Sequence, residues 1–402
     1  MPTETLVPWH QSLSLGATHL DSLFGKDGTD IQVAAWGQII GGSPEDQQSA
    51  TWDLASAFVT QRAGPLVFQL GRQVISGGAA RYRRMDGVLV RANGPVGLRL
   101  SGYAGWTALP RWDQWYGYHD LGANYDSWKQ PNAYPLYADR SQNTMGGFLL
   151  DWHDDDIGTL GVSFHGQAER DSIESRNLGA NFALTHFENV SLTGDAIFSL
   201  EQQRLADVRF SGLWDAYRKG DVGVSLLGEF LHTVPSALLS QASIFSVFSF
   251  GELTEAGGEL ITRLPLGFTI SGAGYAQTYN EGSPGARVRG EVRFASDKEE
   301  TVMARVQAQR VSLETNGYWV LRLAARYRFL PSWSLAADAY RYAYDQAVDG
   351  RTESTFGSTH LVYEPKAPWD ARVGATLAES PYASLDAQCM ARLALHWDRS
   401  VR

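Results

Sequence analysis

Arginine is the residue type in this chain whose abundance and spacing point to chemistry. Arg outnumbers Lys roughly six to one, and a guanidinium stays charged at any pH and presents a fork that fits carboxylate or phosphate. Arg287, Arg289 and Arg293 recur at even spacing, which puts them on one face of an extended chain. The same polar parity collects Arg305, Arg322, Arg326, Arg328, Arg372 and Arg392 further on, and Arg91 and Arg99 earlier. Arg72 and Arg84 join this basic set, although parity places Arg72 with Phe68 and Leu70 unless a bulge intervenes. Acids take the polar parity in the middle of the chain: Asp151, Glu169, Asp195, Asp207, Asp215, Glu229 and Glu259. The pattern predicts a water-filled lumen with a basic wall facing an acidic one, able to hold a solute through many weak contacts. The structural alternative is that Arg and Asp or Glu pair across neighbouring strands and stiffen a wet wall.

A second candidate lies in Leu109–Asn143, where Trp112, Trp115, Tyr116 and Trp128 stand among Asp113, Asp120 and Asp126. Aromatic faces beside carboxylates suit a carbohydrate, and they equally suit the private core of a long ordered loop. His232–Gly251 is apolar enough to fold inward as a constriction or to cap a rim. Catalysis finds no support. His186 takes the outward parity while the adjacent Thr185 points the other way, so no Ser–His type dyad forms on the outer face. The single cysteine, Cys389, can build neither a disulfide nor a C-x-x-C metal site and reads as a small hydrophobe. The expectation is a non-enzyme with no metal and no cofactor.

The elements that must position these side chains follow from period-2 alternation. Leu160–Gln167, Leu178–His186, Ala286–Phe294 and Trp319–Arg326 each alternate apolar and polar residues, giving strands with one face of each kind. No run of about 18 apolar residues occurs, so no transmembrane helix is expected. A net charge of −10 argues against nucleic-acid binding. Segments of about 9–13 residues suit a tilted membrane strand better than a soluble one. Their turns alternate short and long. The short set is Arg62–Pro65, Ala92–Pro95, Asp154–Ile157, Glu188–Ser191, Lys219–Asp221, Pro265–Gly267, Ser296–Glu299, Leu330–Ser332 and Glu364–Pro368. The long set is Gly41–Ala50, Ala108–Thr144, His232–Gly251, Asn280–Gly285 and Asp345–Ser354.

These features predict an all-β fold: a single antiparallel transmembrane β-barrel of about 18 strands, with about 20 as the rival count, long extracellular loops and short periplasmic turns. Trp36, Trp52, Trp106, Trp152, Trp214, Trp319, Trp333, Trp369 and Trp397 lie near strand ends or turns, as interfacial girdles require. Residues 1–30 read as an N-terminal periplasmic segment without a discernible fold, and 31–402 as the barrel. Met1–Gly25 lacks the basic and apolar regions of a signal peptide, so a mature chain with an added start Met is expected.

Val67–Val90 is more specific than pattern alone. Gly71, Arg72 and Gln73 close one strand, Arg81, Arg83 and Arg84 make a basic hairpin, and Asp86 and Gly87 open the next strand. This stretch resembles the alginate-export family of outer-membrane barrels. The resemblance implies an 18-stranded pore in the outer membrane of a Gram-negative bacterium that exports a polysaccharide along an Arg-lined path, with a periplasmic export protein as partner. The rival expectation is a substrate-selective diffusion porin for small anionic solutes. A lipid-hydrolysing barrel and a structural anchoring barrel are the remaining classes.

Overall fold

Alternating β-branched, aromatic and polar residues favour extended chain, and punctuation by Gly, Pro and Asp limits each run. The computed structural model describes residues 7–18, 20, 28–41, 50–108, 143–169, 172–234, 251–279, 282–296, 301–314, 316–365, 368–381 and 385–395. Among them are 21 strands in an antiparallel sheet. They are β1 (Val7–Ala17), β2 (Thr29–Gly41), β3 (Ala50–Ala63), β4 (Leu66–Gly77), β5 (Arg81–Asn93), β6 (Leu98–Thr107) and β7 (Asn143–Asp154). Next come β8 (Gly158–Glu169), β9 (Ser172–Phe187), β10 (Val190–Ser199), β11 (Arg204–Lys219), β12 (Val222–Thr233), β13 (Leu253–Arg263) and β14 (Phe268–Tyr279). The last seven are β15 (Ser283–Ala295), β16 (Val302–Leu313), β17 (Tyr318–Leu330), β18 (Trp333–Val348), β19 (Arg351–Tyr363), β20 (Trp369–Glu379) and β21 (Asp386–Leu395).

The chain divides into two compact units. One comprises residues 1–186, 193–208 and 233–251, the other residues 187–192, 209–232 and 252–402. Strands β1 to β9 form an antiparallel meander in the first, each pairing with the next in sequence. Strands β13 to β21 do the same in the second. Each of the nine short turns expected from sequence falls after an odd-numbered strand, from β3 to β19. The strands β2 to β21 number twenty, the rival count. The twenty-first is β1, in the segment that sequence leaves without a fold: Val7–Ala17 pairs with Ile31–Gly41. Its signal was the alternation of Trp9, Leu13 and Leu15 with His10, Ser12 and Ser14.

Two short turns show how sequence fixes the hairpins. Val96 and Leu266 each follow a proline and precede a glycine, and both adopt positive φ, 50° and 64°. Gly97 and Gly267 follow at φ 78° and 80°. A Cβ there would strike the carbonyl oxygens of His153 and Ala295, so only glycine fits.

Burial is inverted relative to a water-soluble sheet. Leu70 (62%), Val288 (58%) and Leu323 (49%) stand exposed. Buried polar residues, 17 among those described, outnumber the 15 buried apolar ones and include Asp53, Asp151, His165 and Asp207. In β15 the exposure alternates residue by residue: Val288 and Val292 are exposed, whereas Arg287, Arg289 and Glu291 are sheltered. Aromatic side chains mark both edges. Phe329, Trp333, Tyr363 and Trp369 contact in series at the short-turn edge, with centroids 6.5, 4.5 and 4.9 Å apart. At the long-connection edge stand exposed Trp9, Trp52, Trp106 and Trp319.

Candidate pore-lining site

Register decides which polar side chains meet. In the second unit, Glu255 and Glu259 of β13, Tyr275 and Gln277 of β14, and Arg287, Arg289, Glu291 and Arg293 of β15 occupy one face. Arg305 of β16 stands opposite Arg293, and Arg322 of β17 lies opposite Gln307 and Tyr340. The arginines reach past their direct neighbours. Arg287 Nη2 donates to Glu255 Oε1 at 2.6 Å, crossing β14 with its guanidinium 4.3 Å from the Tyr275 ring centroid. Arg289 Nη2 donates to Glu259 Oε2 at 2.6 Å. Arg305 Nε lies 3.1 Å from Glu291 Oε1. Arg322 holds Asp338 with both arms of its fork, at 3.1 and 2.6 Å, and covers Tyr340 at 4.8 Å. Tyr275 donates its hydroxyl proton to Glu229 at 2.5 Å, and Asp215 accepts from Ser225 at 2.6 Å.

Basic and acidic residues therefore interleave strand by strand in this unit. A guanidinium has five N–H donors, and these pairs occupy only one or two of them. Arg287 Nε and Arg289 Nε have no hydrogen-bond partner among the described residues. Both of these nitrogens are buried, so they are not themselves open to a solute. Arg326 approaches Glu364 at 3.9 Å, and Arg372 stands directly opposite Arg392 on β20 and β21. Glu255, Glu291 and Asp338 are partners that sequence reasoning did not single out. Their polar parity was readable; which arginine each would meet was not. Tyr318, Tyr342 and Tyr344 add an aromatic group on the same face toward the long-connection edge, with Tyr318 6.2 and 6.5 Å from the other two.

In the first unit the polar face is covered by its own hairpin. The β4–β5 connection, Gly78–Ala80, is a single 3-10 turn with Ala79 and Ala80 buried. The tip turns onto β8, where Ala79 N–H donates to Ser163 Oγ at 2.8 Å. Two glycines make the fit possible: a Cβ on Gly78 would lie 2.7 Å from Ser163 Cβ, and one on Gly179 would lie 2.7 Å from Ala79 N. Arg81 follows in a rare conformation, φ 56° and ψ −91°, and forms an ion pair with the fully buried Asp207. Strain of about 1–3 kcal/mol at such a residue persists only when its surroundings hold it; the ion pair and the docked tip do so. Beneath the hairpin, the Tyr103 hydroxyl reaches His165 Nδ1 at 2.9 Å across Gly147. A side chain at position 147 would collide with that hydroxyl.

Arg99 lies 3.3 Å from Asp151 on the adjacent strand. The Arg91 side chain makes no hydrogen bond or ion pair among the described residues. Arg72 and Arg84 belong elsewhere. The β4–β5 ladder runs from Leu66 to Gly77 without a register shift, so Arg72 keeps the row of Leu70 and Val88 and β4 has no bulge to redirect it. Arg72 grips Asp86 through two bonds of 2.6 and 2.5 Å, and Arg84 meets Asp53 at 2.7 Å. These charges neutralise one another as a compact group, apart from the row of Leu89 and Arg91. Trp112, Trp115, Tyr116 and Trp128 lie outside the described residues, as does 235–250 within the apolar segment. Cys389 is exposed on β21.

No family model matches the chain, and no curated protein matches it in sequence. Among solved structures it is similar to OccD3 (OpdP) of Pseudomonas aeruginosa, at 11% identity and a TM-score of 0.47 over 92% of this chain and 86% of that one. It is also similar to the translocation pore of the P pilus usher PapC, at 8% identity and a TM-score of 0.46 over 98% and 91%. A BenF-like porin from Pseudomonas fluorescens Pf-5 shares 8% identity, with a TM-score of 0.36 over 98% and 99%.

Proposed function

We propose that this chain is an outer-membrane β-barrel channel for passive diffusion of small polar solutes, with a preference for anions. The observation that carries the reading is the pairing of opposite faces: an apolar exposed face backs a ladder of hydrogen-bonded Arg, Tyr and carboxylate side chains. The apolar face has the right height. From Trp319 to Phe329 the outward residues of β17 are Trp, Leu, Leu, Ala, Tyr and Phe. Ten rises of about 3.4 Å give about 34 Å along the strand, or about 26 Å across a bilayer at a tilt of about 40°, close to the apolar band of such barrels. On this reading the short turns face the periplasm and the long connections face outward.

Export of a polysaccharide, acidic or neutral, is implied by the resemblance of Val67–Val90 to the alginate-export family, and the acidic case fits the charge arrangement less well. A polyanion track needs a run of uncompensated cations, whereas Arg287, Arg289, Arg305 and Arg322 each have a carboxylate partner. Arg72, within the resembling stretch, is committed to Asp86. Reconstitution of the purified chain into a planar bilayer tests the proposal. Steady conductance with a reversal potential displaced toward the anion, indifferent to long acidic oligosaccharides, is expected. A closed bilayer, or block by acidic oligosaccharides alone, would refute it.

A further inference from the structure

The exposed apolar face of the second unit carries charges close to its long-connection edge. Arg310 lies opposite Trp319, and Arg341 lies opposite Leu321, one row deeper on that face. Arg310 holds Asp345 through both arms of its fork, at 2.7 and 2.5 Å. Arg341 Nη2 donates to both oxygens of Glu353 at 2.8 Å. Glu379, in the same row as Arg341, accepts from Arg351 Nη1 at 2.7 Å. Cations and carboxylates thus alternate from β16 to β20. Arg341 is the unusual member. Two residues inside Trp319 is about 5 Å toward the bilayer centre at a tilt of about 40°, yet its side chain is 61% exposed. A charge facing lipid is unfavourable inside the apolar band, and a long side chain is stabilised there by reaching a headgroup. Glu353 takes Nη2 alone, which leaves Nε and Nη1 to a ligand.

Immediately inside this belt the face sinks. The next row is Leu323, Ala339, Gly357 and Leu377, with Ala325 and Ala337 in the row after it. Small residues between Leu323 and Leu377 leave a groove of about 550 Å³. The Thr359 hydroxyl at its floor donates back to the Ala336 carbonyl oxygen, so the lining is apolar. Ala339 and Leu377 are two residues from Arg341 and Glu379, so a guanidinium and a carboxylate stand together at the mouth of the groove. Small side chains on a membrane face let an apolar partner approach closely, and this volume falls within the range of about 300–1,000 Å³ typical of ligand sites.

We propose that the groove and the belt above it bind one zwitterionic phospholipid whose headgroup ends in a primary ammonium. One acyl chain fills the groove, the phosphate oxygens accept from Arg341 Nε and Nη1, and the ammonium donates to Glu379. The matched charges select the headgroup. An anionic headgroup would offer Glu379 nothing, and a quaternary ammonium has no N–H to donate. A second copy of the chain seated here would bury these charges against its own apolar face, which is unfavourable. The site rests on the reading of this face as lipid-facing.

Native mass spectrometry of the refolded full chain in detergent tests it, with dioleoyl phosphatidylethanolamine, phosphatidylcholine and phosphatidylglycerol added in turn. One saturable phosphatidylethanolamine adduct is expected. Affinity should be about tenfold weaker for the other two lipids and for Arg341→Gln, as loss of a charge-assisted hydrogen bond predicts. A Cβ on Gly357 would meet nothing within 4 Å, so Gly357→Leu fills the groove without straining the sheet and should weaken the adduct by a similar factor. Equal affinity for the three lipids would overturn the assignment, as would unchanged affinity in either variant or a chain dimer in place of the adduct. If Arg341→Gln does not fold, Gly357→Leu decides. Absence of a selective adduct in a chain that still conducts in a planar bilayer would remove the site and leave the channel reading standing. A selective adduct on a chain that does not conduct would do the reverse.

Discussion

Gly179→Ala should release the β4–β5 hairpin from the polar face while leaving the sheet intact. The new Cβ would lie 2.5 Å from Ser163 Oγ and 2.7 Å from Ala79 N. Ser163 can rotate away; the backbone of Ala79 cannot. Comfortable non-bonded separation is about 3.5 Å, so the tip must retreat by about 0.8 Å. That retreat breaks the Ala79–Ser163 hydrogen bond, worth about 1 kcal/mol net, and overpacking adds about 1–3 kcal/mol. Docking is therefore weakened by about 2–4 kcal/mol, which at tenfold per 1.4 kcal/mol is about 30- to 700-fold in the undocked population. Ala80 reports it, being 4% exposed when docked. In a Cys389→Ser background, Ala80→Cys should react with a maleimide by that factor faster when Gly179→Ala is added. Thermal stability should fall by no more than this docking loss, because no ladder hydrogen bond is touched. Identical labelling rates with and without Gly179→Ala would refute the docked hairpin as a single-position element held by this glycine.

Two further predictions test the two faces of the sheet. Val288→Arg places a charge on the exposed apolar face between two native arginines of the other face. It should lower stability in lipid vesicles by about 2–4 kcal/mol if position 288 is near the bilayer midplane, read from urea titration of Trp fluorescence; unchanged stability would exclude a lipid-facing position. Asp338→Asn leaves Arg322 without its carboxylate and should move the reversal potential toward the anion. One unit charge about 7 Å from a permeating ion in water is worth about 0.6 kcal/mol, roughly threefold in permeability ratio. Arg322→Gln should shift it the opposite way, and the same sign from both variants would show that the pair does not face the permeating ion.

Much of the fold was legible because a strand's side chains repeat every two residues and a turn interrupts that repeat visibly. Gly64–Pro65, Gly94–Pro95 and Pro265–Gly267 all mark hairpins that form. The strand count was less legible. A count of 18 omits segments that the ladder uses, and the alternation of Trp9, Leu13 and Leu15 is a strand signal inside residues 1–30. In the structure those three side chains are 64%, 55% and 57% exposed, as membrane-facing residues of β1 would be. Parity also predicted that Arg72 would share a row with Leu70 unless a bulge moved it, and the unbroken β4–β5 register keeps it there.

What parity cannot supply is offset. It places Arg287 and Glu255 on one face, but they are 32 residues apart and meet across an intervening strand, over a tyrosine ring. That contact depends on the stagger of three strands together, and a slip of two residues would keep every side chain on its proper face while changing every partner. A basic wall and a set of compensated pairs are consequently indistinguishable in sequence, although they differ in what they would conduct. The hairpin contact is less local still. Arg81 meets Asp207 beside a tip that fits because Gly78 in the turn and Gly179 on β9, far apart in sequence, both lack the carbon that would keep the tip away. A glycine in a strand reads as a weak position; Gly179 on β9, with Gly78 in the turn, instead defines where the hairpin tip rests.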